Sequence, residues 1–176
     1  DIYRGTREYS ELSWAYEQEL SYPQIDEERK RLLALKIAEI QEAFLEDDAK
    51  AEEHYKYALQ LKLDELIAIR GLQRIYTRLE KYELLQDMLL KELPLQKSKD
   101  RSMNLQLQLA KLKEEHLQDK EGSIKYYEKV RHVQPNNLSI VRHVKHLYKE
   151  QENWVEYSNL LEKEILLLSE KNQNIE

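Results

Sequence analysis

Sliding the chain by 72 residues lays it on itself without a gap, and no other feature limits the fold so strongly. Leu33, Leu35, Ala38, Glu42, Leu45 and Asp47 fall on Leu105, Leu107, Ala110, Glu114, Leu117 and Asp119. Further along, Tyr55 meets Tyr127, Leu66 meets Leu138, Arg70 meets Arg142, Tyr76 meets Tyr148, Glu80 meets Glu152 and Leu89 meets Leu161. Lys91-Glu92 meets Lys163-Glu164, and Tyr82 faces Trp154. Such a tandem duplication builds supersecondary units that bury their apolar faces by stacking.

Within a unit the apolar positions keep helical spacing: Leu33, Ile37, Ile40 and Phe44, then Ala51, Tyr55, Ala58 and Leu59 after a break at Glu46-Asp47-Asp48. A second hairpin is expected from Glu65 to Leu79 and from Tyr82 to Leu93. The second copy predicts helices over Arg101–Leu117, Lys120–Val133, Leu138–Lys149 and Asn153–Ser169. At Gln134-Pro135-Asn136-Asn137, Pro135 removes a donor and Asn137 is placed to cap the next helix. Pro94 and the polar stretch to Asp100 read as a hinge between units.

Tyr9 to Leu20 matches Tyr82 to Leu93 at an offset of 73, so the first helix reads as the last helix of a preceding unit. The expected division is 1–26 for that orphan helix, 27–97 and 98–170 for two four-helix units, and 171–176 for a polar tail, all in one continuous solenoid. A chain starting at Asp1 also reads as a piece of something longer.

Only 3 Gly and 3 Pro occur, which leaves sheets and tight turns without their usual punctuation. The balance of 28 Lys plus Arg against 34 Asp plus Glu gives a net charge of -6, and this argues against non-specific nucleic-acid binding. The absence of Cys rules out disulfides and thiolate metal sites. No apolar run approaches the roughly 20 residues that span a bilayer, so no membrane insertion is expected and a cytoplasmic location is.

Hairpins of this length resemble the tetratricopeptide repeat family. The likeness rests on Ile69-Arg70-Gly71-Leu72 with Tyr76, on Ala51, Tyr55 and Ala58, and on the repeat end at Gln134 to Asn137. Ala38 and Ala110 match the small residue of the first helix, whereas Gln73 and Lys145 stand elsewhere in its place, and the terminal Pro occurs only at Pro135. The repeats are divergent, and the half-a-TPR class of RNA-processing scaffolds remains the second assignment. The resemblance implies an all-α, right-handed α-solenoid of antiparallel hairpins, a superhelix whose first helices line a concave, protein-binding groove. Fold alone does not settle function.

Carrying the family's groove positions over gives Arg70, Arg74, Thr77 and Arg78 in one unit, and Arg142, His146 and Lys149 in the other, with Glu150 beside them and Lys111 extending the patch. The i, i+4, i+8 spacing puts Arg70, Arg74 and Arg78 on one stripe of planar donors suited to carboxylates, which implies an acidic peptide or helix as partner. The competing reading is a solvated face whose cations pair with acidic residues of adjacent helices.

The recurring Tyr55, Tyr76, Tyr82, Tyr127, Tyr148 and Trp154 read as packing residues. Trp14 and Tyr22, on or beside the orphan helix, are expected exposed, and this points to a homodimer through that helix. His143 and His146 lack an HExxH pattern or a third ligand, so no metal is expected. With no Cys, no GxSxG and no glycine-rich phosphate loop, neither catalysis nor a cofactor is expected. The function expected is a non-catalytic protein-interaction scaffold; the alternatives are a self-assembling repeat segment and an RNA-processing scaffold.

Overall fold

The computed structural model describes the backbone of residues 2–173 and the side chains of residues 6–170. Among the described residues there are nine α-helices, one 3-10 turn and no strand. The helices are α1 (Ile2–Leu20), α2 (Glu27–Ala43), α3 (Asp48–Leu61), α4 (Leu66–Arg78), α5 (Tyr82–Glu92), α6 (Lys99–Glu115), α7 (Lys120–Val133), α8 (Leu138–Glu150) and α9 (Trp154–Gln173). The 3-10 turn spans Leu93–Leu95, around Pro94. Two compact units result, residues 1–95 and residues 96–176. The first takes in α1, and the second ends in α9, which runs through Gln173 into the tail expected over 171–176; residues 174–176 lie outside the described residues.

Each hairpin turns in the same way. Residues 46, 80, 118 and 152 sit in the left-handed region, with φ of 55, 54, 53 and 56° at Glu46, Glu80, Gln118 and Glu152. Their steps along the chain are 34, 38 and 34. The residue after each one donates its N–H back into the helix just ended: Asp47 to Gln41 O at 2.9 Å, Lys81 to Tyr76 O at 2.9 Å, Asp119 to Lys113 O at 2.8 Å and Asn153 to Tyr148 O at 2.9 Å. These bonds satisfy carbonyls that a helix end otherwise leaves orphaned.

Three of those residues also start the next helix. Asp47 accepts from Lys50 N at 3.0 Å, Asp119 from Gly122 N at 2.8 Å and Asn153 from Glu156 N at 3.3 Å, whereas Lys81 offers no side-chain cap. Between hairpins, Glu65 and its repeat counterpart Asn137 cap α4 and α8, the first through Ile67 N and the second through Ser139 N and Ile140 N.

In unit 1 the core is Leu33, Ala34, Ile37 and Ala38 of α2, Ala51, Tyr55 and Ala58 of α3, Ala68, Ile69, Leu72, Ile75 and Tyr76 of α4, and Leu89 of α5. Unit 2 repeats it with Ala110, Ile124, Tyr127, Val141, Val144, Leu147, Leu160 and Leu167 packed as one cluster. Each large aliphatic buried this fully contributes about 1.5–3 kcal/mol. The Tyr55 ring of α3 lies against Gly71 of α4, where an added Cβ would be 2.4 Å from it. The small residue of α4 is therefore Gly71, while Gln73 turns to the buried side of α5, donating to Glu92 Oε2 at 2.7 Å. In unit 2 His143 takes the place of Gly71 and meets Tyr127 edge-on, with ring centroids 4.7 Å apart.

Tyr55, Tyr76 and Tyr127 are buried, in line with the packing role read from their spacing. Trp154 departs from it: at the first position of α9 it makes an edge contact with Tyr157 at 6.0 Å and stays 56% exposed.

Candidate functional site

The stripe Arg70, Arg74, Arg78 lies along α4, and its three guanidinium groups go to three different elements. Arg70 Nε donates to Glu92 Oε1 of α5 at 2.9 Å. Arg74 grips Glu42 of α2 through both Nε, at 2.8 Å, and Nη2, at 2.7 Å. Arg78 pairs with Asp48 at the start of α3, with Nε 2.8 Å from Oδ2, and its Nη2 also lies 3.9 Å from Glu42 Oε1. Thr77 donates its hydroxyl to Gln73 O of its own helix at 2.7 Å. The stripe is thus wired into adjacent helices, the competing reading of these residues in the sequence.

The carboxylates are the more buried members. Glu92 is fully buried and the Glu42 side chain is 8% exposed, whereas the side chains of Arg70, Arg74 and Arg78 remain 43%, 55% and 49% exposed. Burial pushes the Glu42 carboxyl up, but hydrogen bonds from Arg74 and Tyr55 outweigh it and hold the group below its ordinary value. The Arg78 guanidinium holds Asp48 down in the same way. Tyr55, whose hydroxyl donates to Glu42 Oε2 at 2.9 Å, is pushed up first by burial and then by that carboxylate. These residues form one layer, Tyr55–Glu42–Arg74 with Arg78–Asp48 beside it.

Unit 2 keeps half of this wiring and rewrites the rest. Arg142 Nε donates to Glu164 Oε1 at 2.6 Å, as Arg70 does to Glu92, and Lys145 pairs with the other carboxylate oxygen where unit 1 has Gln73. Hydrogen bonds from Lys145 and Arg142 lower Glu164 below its ordinary value. The counterparts of Arg78 and Asp48 are Glu150 and Lys120, which form the same pair with the charges exchanged, at 2.7 Å. His146 lies in the Arg74 position, 3.4 Å from Glu150 Oε1, while Glu114, the counterpart of Glu42, takes His143 Nε2 at 2.9 Å. Lys111 and Lys149 are exposed and, among the described residues, enter no ion pair.

The sequence reading found the cations but missed their partners Glu42, Asp48, Glu92 and Glu164. Their signal was the repeat itself: Glu42 falls on Glu114 and Glu92 on Glu164 in the 72-residue alignment. Arg70 and Arg142 each sit on a buried carboxylate, and a reversal to Glu at either would set like charges against each other there. Among the described residues no group of three or more His, Asp or Glu is placed to hold a metal, and no helix is long and apolar enough to cross a membrane.

No family model matches this chain, and no curated protein matches it either. Among solved structures it is similar to MamA, with a TM-score of 0.53 and 15% identity over 97% of this chain and 94% of that one. A crystal form of MamA AMB-1 gives a TM-score of 0.58 at 18% identity, covering 96% of this chain and 87% of that one. BtubC (BKLC) from P. vanneervenii gives 0.51 at 14% identity, covering 94% and 75%. At these identities the likeness concerns the fold, an all-α solenoid of helical hairpins.

Proposed function

We propose that this chain is a non-catalytic scaffold that binds another protein, taking an acidic peptide or helix on the α4 side of unit 1 through Arg70, Arg74, Thr77 and Arg78. The equivalent α8 side of unit 2 offers Arg142, His146 and Lys149, and Lys111 on α6. One observation carries the reading: Arg74 and Arg78 are held by in-chain carboxylates yet keep 55% and 49% of their side chains exposed. A guanidinium has five donors, and the in-chain bonds use only part of that set. Fixed planes of this kind meet a partner's carboxylate with little rotamer entropy left to lose.

Titration calorimetry with a glutamate-rich helical peptide tests it. Binding should weaken about tenfold in an Arg78→Gln, Lys149→Gln variant, in which Glu42 keeps both hydrogen bonds from Arg74 and Glu92 and Glu164 keep Arg70 and Arg142. Equal affinity in a folded variant removes the site from α4 and α8.

A second reading, self-association through α1, is favoured by Trp14 and Tyr22, 61% and 62% exposed. Light scattering on a Trp14→Ser, Tyr22→Ser variant addresses it better than deletion of residues 1–26, since α1 stacks Tyr9 on Phe44 and accepts from Gln41 at Ser13. A dimer that persists in the variant would rule this reading out.

A further inference from the structure

Unit 1 balances its layer with permanent charges, the guanidinium groups of Arg74 and Arg78 standing against Glu42 and Asp48. At the positions 72 residues later, unit 2 has His146 and Glu150, Glu114 and Lys120, and it sets His143 where unit 1 has Gly71. The arginine that grips the α2 carboxylate has thus been exchanged for two imidazoles. Histidine gains and loses its charge between about pH 5 and 8, where arginine never does.

Both imidazoles face carboxylates. His143 Nε2 lies 2.9 Å from Glu114 Oε2 of α6, with its ring edge-on to Tyr127 of α7. His146, with 64% of its side chain exposed, lies 3.4 Å from Glu150 Oε1, which Lys120 Nζ reaches from α7 at 2.7 Å. The Lys120 hydrogen bond holds Glu150 below its ordinary value, so Glu150 stays ionised through the histidine range. Around this layer stand Lys111, Glu115 and His116 on α6, and Glu128 on α7 with Arg131 and His132 beside it. On the α9 side are Glu156 and Glu164, the latter held by Arg142 and Lys145, and Lys149 completes α8. Burial pushes Tyr127 and Tyr148 up, so both stay neutral.

With both imidazoles neutral, Lys120 alone opposes Glu114 and Glu150, and the layer carries one net negative charge. With both protonated it carries one net positive charge. We propose, on the reading that α4 and α8 take an acidic segment, that His143 and His146 gate the α8 side by protonation, turning it from a face that repels a carboxylate into one that accepts it. Charged His143 answers Glu114 as Arg74 answers Glu42, and charged His146 presents the donor that unit 1 keeps permanently at Arg74. The α4 side has no such gate, since neither α2 nor α4 contains a histidine.

The probe is an aspartate-rich peptide carrying one benzoyl-phenylalanine, which stays ionised down to about pH 5.5. Photo-cross-linking to the full chain at low salt, read by quantitative mass spectrometry, compares labelling of α8 with that of α4 as an internal reference. From about pH 8 to about pH 5.5 the ratio of α8 to α4 labelling should rise about fivefold. His143→Gln with His146→Gln should abolish the rise while leaving His116 and His132 in place, and His146→Arg, at an exposed position, should hold the ratio high at both pH values. A ratio that does not change in the parent chain, or a rise that survives in the double-Gln variant, would overturn the gate and leave the binding reading standing. A peptide that labels neither helix at either pH would overturn both.

Discussion

Arg142 Nε lies 2.6 Å from Glu164 Oε1, and 72 residues earlier Arg70 Nε lies 2.9 Å from Glu92 Oε1. The pair joins the two helices of the last hairpin in each unit, with the carboxylate on the buried side and the arginine reaching it from the surface. Lys145 shares Glu164 with Arg142, so two cations serve one carboxylate.

Removing either cation alone should therefore cost little. Arg142→Ala and Lys145→Ala are expected to lower stability by about 1 kcal/mol each, while the double variant costs more than their sum, because Glu164 then loses both charge partners in a largely desolvated position. Urea denaturation of the three variants measures this coupling; strict additivity would contradict it.

Acid should weaken the fold through the same carboxylates. Glu42, Asp48 and Glu164 all lie below their ordinary values in the folded chain. Depressed carboxyls contribute stability that is complete above the unfolded values of about 3.9–4.3 and lost as pH falls through the folded ones. The melting temperature should hold from neutral pH to about 5 and fall steeply below about 4. Arg78→Gln should flatten that fall, because Asp48 then loses the cation that lowers it.

Gly71→Ala should destabilise unit 1 by about 2 kcal/mol, since the new Cβ would meet the Tyr55 ring at 2.4 Å and the ring is fully buried. Tyr55→Leu in the same chain should recover part of the loss. Thermal melts of the single and double variants test it, and an undisturbed Gly71→Ala would mean the ring is free to move.

Glu80→Gly and Gln118→Gly should each raise stability by about 0.5–1 kcal/mol, because a left-handed residue with a Cβ is strained and the turn hydrogen bonds remain. A β-branched residue at either place should do the reverse.

These turns also mark where the sequence stopped speaking. The breaks at Glu46-Asp47-Asp48 and Glu80-Lys81 were legible from apolar periodicity, and α7 begins and ends where its pattern predicts. The left-handed residues were not, because Glu and Gln hold positions where Gly would have announced the turn. At the candidate site the cations were legible on one helical stripe. Their partners were not, since Glu42 and Asp48 are 32 and 30 residues from the arginines they hold, and only packing α2 and α3 against α4 brings them together. Charge read along one helix overstates how basic that helix is once its neighbours are in place.

The central claim is that a partner protein is held on the α4 and α8 sides. Its most direct test is a cross-linking pull-down from the source cells with the parent chain and with Arg78→Gln, Lys111→Gln, Lys149→Gln, each folded by circular dichroism and compared by quantitative mass spectrometry. The account predicts a protein recovered with the parent, lost with the triple variant, and cross-linked through an acidic segment to α4 or α8. Identical recoveries, or cross-links confined to other helices, would contradict it.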